Sequence, residues 1–122
     1  MKVAGEVLVA LVAIEHLLFL YVEAFLWTAP RGRAIFGTTA EQAEHSAGLA
    51  KNQGLYNGFL AAALLWALIT TSDEASFEFK LYGLICVVVA AVVGALTSSR
   101  RILIVQGAPA LVGLVLVLLG GR

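Results

Sequence analysis

Four stretches of this chain are apolar over lengths that approach the ~20 residues a helix needs to cross a bilayer core. They run from Val3 to Trp27, from about Leu55 to Ile69 behind a polar lead-in, from Phe77 to Thr97, and from Ile102 to Leu119. A chain of 122 residues has too little interior to hide all four from water. The composition agrees, with 61% hydrophobic and 13% charged residues, where soluble domains run near 45–50% apolar and about 25% charged. The sequence therefore reads as all-α, a transmembrane four-helix bundle forming one domain over residues 1–122, with spans at about 3–27, 48–70, 77–97 and 102–119.

Lys2 before an apolar run resembles a signal peptide, but Glu6, Glu15, His16 and Glu23 interrupt the run and no small-residue cleavage site ends it. It reads as a retained span. Pro109 lies inside the fourth stretch and predicts a kink or a local 3₁₀ turn, because it removes a backbone donor. Basic residues favour the cytoplasmic side of a membrane. Arg31, Arg33 and Lys51 flank the first connection and Arg100 and Arg101 the third, against Lys2, Lys80 and Arg122 opposite. This places both termini outside an inner (plasma) membrane. In the first connection, Thr39 and Gln42 have capping-box spacing, so a helix should start near Ala40 and run into the second span.

The formal charge is zero, which offers no electrostatic footprint for nucleic acid. The one cysteine, Cys86, excludes an internal disulfide or a thiolate zinc cluster. Glu41, Glu44 and His45 have spacing that can ligate a metal, but a solvated helix face explains them, and no metal site is assigned. No H-E-x-x-H, G-x-S-x-G or phosphate-binding glycine loop is present, and the residues leave any cofactor unknown.

Ionisable residues inside a span are expensive and mark function by default. At 100° per residue, His16 and Glu23 share one face of the first span and Glu15 borders it. The second span opens with Asn52, Gln53, Tyr56 and Asn57 on one face and Gly54 and Gly58 on nearly the opposite one, a small-residue surface for close helix approach within or between chains. With a rise of ~1.5 Å per residue, Glu23 lies ~6 Å, Gln106 ~7.5 Å and Asn57 ~9 Å inside the cytoplasmic ends of their spans. Three spans thus bring polar groups to one level, with Glu15 and His16 deeper.

The run from His16 through Glu23 to Trp27, followed by Asn52-Gln53-Gly54-Leu55-Tyr56-Asn57-Gly58-Phe59-Leu60-Ala61, resembles a family of small bacterial membrane proteins known as domain of unknown function thirteen-zero-four. The resemblance covers essentially the whole chain and implies a four-span integral membrane protein. Membrane-associated eicosanoid and glutathione enzymes are loosely similar from Glu44 to Asn57, but their arginine and glutamate pattern is missing here. Small multidrug transporters share the span count and a glutamate matching Glu15, without their third-span glycine pattern between Leu81 and Thr97.

Three functions follow from these residues. The first is a cytoplasm-facing polar cavity lined by Glu15, His16, Glu23, Asn52, Gln53, Tyr56, Asn57 and Gln106 that takes a small lipophilic molecule, with His16 or Glu23 as acid or base if a reaction occurs. The second is proton-coupled export of lipophilic cations through Glu15. The third is an accessory membrane subunit or homo-oligomer docked through Gly54 and Gly58. A purely structural role, in which the same polar groups only hold helix register, stands beside all three.

Overall fold

The computed structural model describes residues 1–121; Arg122, counted above among the outer basic residues, lies outside the described residues. The chain is all-α, and no strand occurs among the described residues. Helix α1 (Lys2–Tyr21) continues through a π-helical turn (Val22–Leu26) and is followed by the short α2 (Pro30–Phe36). Helix α3 (Ala40–Ile69) is the longest, and α4 (Asp73–Thr97) follows. A single turn, α5 (Arg100–Ile102), then leads through a second π-helical turn (Leu103–Gly107) into α6 (Ala108–Gly120).

Three helical segments are long and apolar enough to cross a membrane: Lys2–Leu26, Asp73–Thr97 and Arg100–Gly120. The sequence predicts four. The second expected span, 48–70, falls on the last part of α3, which ends at Ile69. Its opening amides Asn52, Gln53 and Asn57 dilute the apolarity that Leu60 to Ile69 supply. Less than a third of each qualifying span is buried. Val7, Leu11, Leu18, Val89, Val93 and Leu111 are among the many large apolar side chains facing outward, as expected where the surroundings are hydrocarbon rather than water.

Contacts divide the chain into two compact units, Met1–Ile14 together with the chain from Ala62 onward, and Glu15–Ala61. In the first unit α4 packs along α6 and the π-helical turn before it. Helix α4 starts at Ser72, whose hydroxyl accepts from the Ala75 N–H at 3.1 Å. Asp73 and Glu74 complement the positive end of its dipole. Ser76 ties the α3–α4 turn together by donating to the Ala67 carbonyl at 2.6 Å. Small residues then set the packing distance. A Cβ on Gly113 would sit 3.2 Å from the Leu8 Cβ, and Leu84, fully buried, borders the same spot. Lys80, 6% exposed, reaches Glu6 at 3.6 Å, so this cation inside the apolar α4 has an opposite charge beside it.

Pro109 acts differently from the sequence expectation of a kink or a 3₁₀ turn. The helix widens into the π-helical turn Leu103–Gly107, and the Ala108 N–H reaches five residues back to the Leu103 carbonyl. Pro109 cannot donate to Val105, and the wider turn shifts the hydrogen-bond register just ahead of it.

Because Gly113 has Leu8 and Leu84 at contact distance, Gly113→Leu should overpack the first unit and destabilise it by about 1–3 kcal/mol. Gly113→Ala should cost distinctly less. Denaturant titration in detergent measures both, and equal effects would refute this account of the packing.

Candidate functional site

The polar residues of the first and second expected spans fall in the unit Glu15–Ala61. Glu23 sits in the π-helical turn that ends α1 and is 3% exposed. Asn57 faces it from α3, and its Nδ2 donates to Glu23 Oε1 at 2.5 Å. Of the three groups that the rise per residue puts at one level, Glu23 and Asn57 meet here. A buried carboxylate needs such a donor, because nothing in an apolar surrounding replaces the water it lost.

Close approach of the backbones makes the pair possible. A Cβ on Gly54 would lie 3.1 Å from the Glu23 Cβ and 3.3 Å from the Leu20 carbonyl oxygen, and one on Gly58 would lie 3.2 Å from Leu20 Cδ2. The Gly54 and Gly58 surface therefore packs within the chain. Asn57, three residues after Gly54, turns toward that same surface. Asn52, Gln53 and Tyr56 are exposed on the other side of α3, with Tyr56 edge-on to Phe59 at 5.7 Å. The sequence reading groups Asn57 with Asn52, Gln53 and Tyr56 opposite the glycines; instead it shares the glycine side, where Glu23 accepts its hydrogen bond, and only the other three are exposed.

His16 is fully buried and meets Phe19 edge-on, ring centres 5.3 Å apart. Glu15 is half-buried, and its Oε1 is enclosed without a hydrogen-bond partner among the described residues. Gln106 lies in the second π-helical turn, in the other unit. Glu41, Glu44 and His45 are exposed on the first turns of α3. Among the described residues no group of three or more His, Cys, Asp or Glu could hold a metal ion.

A cap not foreseen from the sequence closes this unit. Pro30 opens α2 and Gly37, in the left-handed conformation at φ 66°, ends it, with Gly37 and Thr38 N–H groups both reaching the Arg33 carbonyl. Proline at the start and glycine just past the end are the signal that marks such a helix. Gly32 is buried where a side chain would collide with the Leu26 carbonyl oxygen, so α2 rests directly on the π-helical turn. Trp27 stacks obliquely on Phe36 at 4.9 Å and donates from Nε1 to Ser46 Oγ at 3.0 Å. Ser46 in turn donates to the Gln42 carbonyl at 2.7 Å. The reciprocal capping box is present: the Thr39 N–H donates to Gln42 Oε1 at 2.9 Å, and the Gln42 N–H to Thr39 Oγ1 at 3.1 Å. Helix α3 thus begins at Ala40, as its sequence predicts.

An open groove of about 490 Å³ runs along this unit, lined by Leu20, Ala24, Phe25, Gly48, Lys51, Asn52 and Leu55. Its floor is apolar, and Lys51 and Asn52 supply its polar groups. Glu23 and Asn57 do not line it. Helical periodicity around Gly48, Lys51, Asn52 and Leu55, spaced at three and four residues, is the sequence signal for its α3 wall.

The chain is thus an all-α protein with three helical segments long and apolar enough to cross a membrane, and with the buried Glu23 paired to Asn57 near the end of the first. The chain belongs to the DUF1304 family, described as a protein of unknown function, whose model matches residues 10–118. It is also similar to the uncharacterized protein YpaA of Lactococcus lactis subsp. lactis (strain IL1403), 32% identical over 117 residues that make up 94% of this chain and 97% of that one. No solved structure matches the chain.

Removing one half of the buried pair should show. Asn57→Ala deletes the donor without adding bulk at this close contact, and is expected to lower stability by about 1–3 kcal/mol. Combined with Glu23→Met, the loss should be smaller than the sum of the two single changes, as a double-mutant cycle in detergent unfolding would reveal. Additive losses would mean that the pair contributes no coupling. Gly32→Ala should cost a further 1–3 kcal/mol, roughly, by pushing α2 off Leu26.

Proposed function

We propose that this protein is a four-span inner-membrane protein that binds a small lipophilic molecule with a polar head, on the cytoplasmic side, in the groove of the Glu15–Ala61 unit. The observation that carries the reading is the chemistry of that groove: Leu20, Ala24, Phe25 and Leu55 offer apolar contact, and Lys51 and Asn52 stand in the same lining. Binding sites for small molecules are mostly apolar with a few placed polar groups. Glu23 and Asn57 have a supporting role, holding α1 and α3 at the spacing that shapes the groove. His16, buried beside Phe19, belongs to that support.

Membrane orientation follows from charge. Arg31, Arg33, Lys51, Arg100 and Arg101 belong to connections on one side, while Lys80 on the other is occupied by Glu6. The positive-inside rule then puts the first and third connections in the cytoplasm. For that, α3 must cross, its last turns from Leu60 to Ile69 carrying the apolar load.

Lipophilic cation export is the second reading, and its support is the enclosed, unpaired oxygen of Glu15. The two readings differ at defined residues. A thermal-shift series with quinones, fatty-acid-like amphiphiles and lipophilic cations should find a ligand that raises the unfolding temperature, since a compound at 100 times its Kd adds about 2.7 kcal/mol. A Cβ on Gly48 meets nothing within 4 Å, so Gly48→Phe fills the groove without disturbing its walls and should abolish the shift. A shift insensitive to Gly48→Phe but lost with Glu15→Gln would favour export instead.

Crossing by α3 is tested by cysteine labelling on a Cys86→Ser background. Glu41→Cys should react with an impermeant maleimide only after the membrane is opened, and Glu74→Cys in intact cells. Labelling of both from the same side would show that α3 does not cross.

A further inference from the structure

The groove has a charge as well as a shape. Its lining holds one ionisable side chain, the ammonium of Lys51, with the amide of Asn52 one residue on. No carboxylate lines it: Glu23 is turned to Asn57, and Glu41 and Glu44 stand exposed on the earlier turns of α3. A cation would meet Lys51 with no compensating charge in the lining. An anion would find a point charge and amide donors at one place and hydrocarbon contact along Leu20, Ala24, Phe25 and Leu55 at another.

Position adds to this. The apolar segment Lys2–Leu26 ends one residue past Phe25, 73% exposed on the groove wall. The groove therefore lies where a membrane-crossing α1 leaves the hydrocarbon, the level at which lipid headgroups sit. It is open rather than enclosed, so an acyl chain can enter from the leaflet.

We infer that the groove takes one anionic phospholipid of the surrounding leaflet, an acyl chain lying along Leu20, Ala24 and Leu55 and the headgroup phosphate on Lys51 and Asn52. This rests on the groove-binding reading above and narrows its ligand class. A basic residue near an anionic membrane surface contributes about 1 kcal/mol, which corresponds to roughly a fivefold preference for an anionic over a zwitterionic headgroup on the same chains.

Native mass spectrometry of the detergent-purified protein, with phosphatidylglycerol, phosphatidylcholine and oleate of matched chain length competing at equal concentration, tests it. Wild type should retain phosphatidylglycerol about fivefold over phosphatidylcholine. Lys51→Gln should erase the preference, Lys51→Arg should keep it, and Gly48→Phe should remove bound lipid altogether, all three with unchanged helical circular dichroism. Equal retention of both phospholipids by wild type, with both lost in Gly48→Phe, would overturn the anionic assignment and leave the lipophilic groove standing. Retention of oleate but neither phospholipid would replace the leaflet lipid by a free fatty acid. Lipid retention unaffected by Gly48→Phe would overturn the groove reading itself.

Discussion

The structure of the Glu15–Ala61 unit depends on the cost of placing a carboxylate at the end of an apolar helix. Glu23 must have a donor, and the nearest one on offer is an amide on α3. Bringing Asn57 to it requires α1 and α3 to approach until backbone and side chain touch, which only glycine at position 54 allows without displacement. The polar pair and the glycine are therefore one device. The amide sets which residues of α3 face α1, and the glycine sets how closely.

The same economy of backbone groups explains the π-helical turn before α6. A helix in an apolar surrounding has no water to satisfy a freed carbonyl, so irregularities must be absorbed by a change of register. In the turn before α6 the cause is Pro109, and the Ala108 bond to Leu103 shows the register shift directly. In the turn that ends α1, Glu23 is turned toward Asn57 and the Leu26 carbonyl is left to accept from Ala29 and to support Gly32 of α2. Such widened turns concentrate at functional sites, and here the first of them forms part of the groove wall through Ala24 and Phe25.

Not every polar residue of this unit reaches the groove. His16 and Glu23 are buried and do not line it. Lys51, exposed at the edge of a polar lead-in, is the ionisable side chain of the lining. The amide-rich opening of α3 thus has two different sides on one helix. Asn57 and the glycines pack inward, while Gly48, Lys51 and Asn52 shape an outward-facing surface.

Much of this was legible in the residues themselves. Apolar length dictated the helices, Thr39 and Gln42 dictated where α3 begins, and the rise per residue was enough to put Glu23 and Asn57 at one level. These are local properties, governed by periodicity, capping and span length. Which groups actually meet is a matter of distance between segments far apart in the chain, and that only the tertiary structure decides. It separated Asn57 from Gln53 and Tyr56, since a rotation of one helix by a fraction of a turn determines which amide finds a partner. It seated α2 on Leu26 through Gly32, turned Trp27 onto Ser46, and set Leu20, Ala24 and Phe25 beside the Gly48–Leu55 side of α3, so that the groove has walls from two helices far apart in the chain.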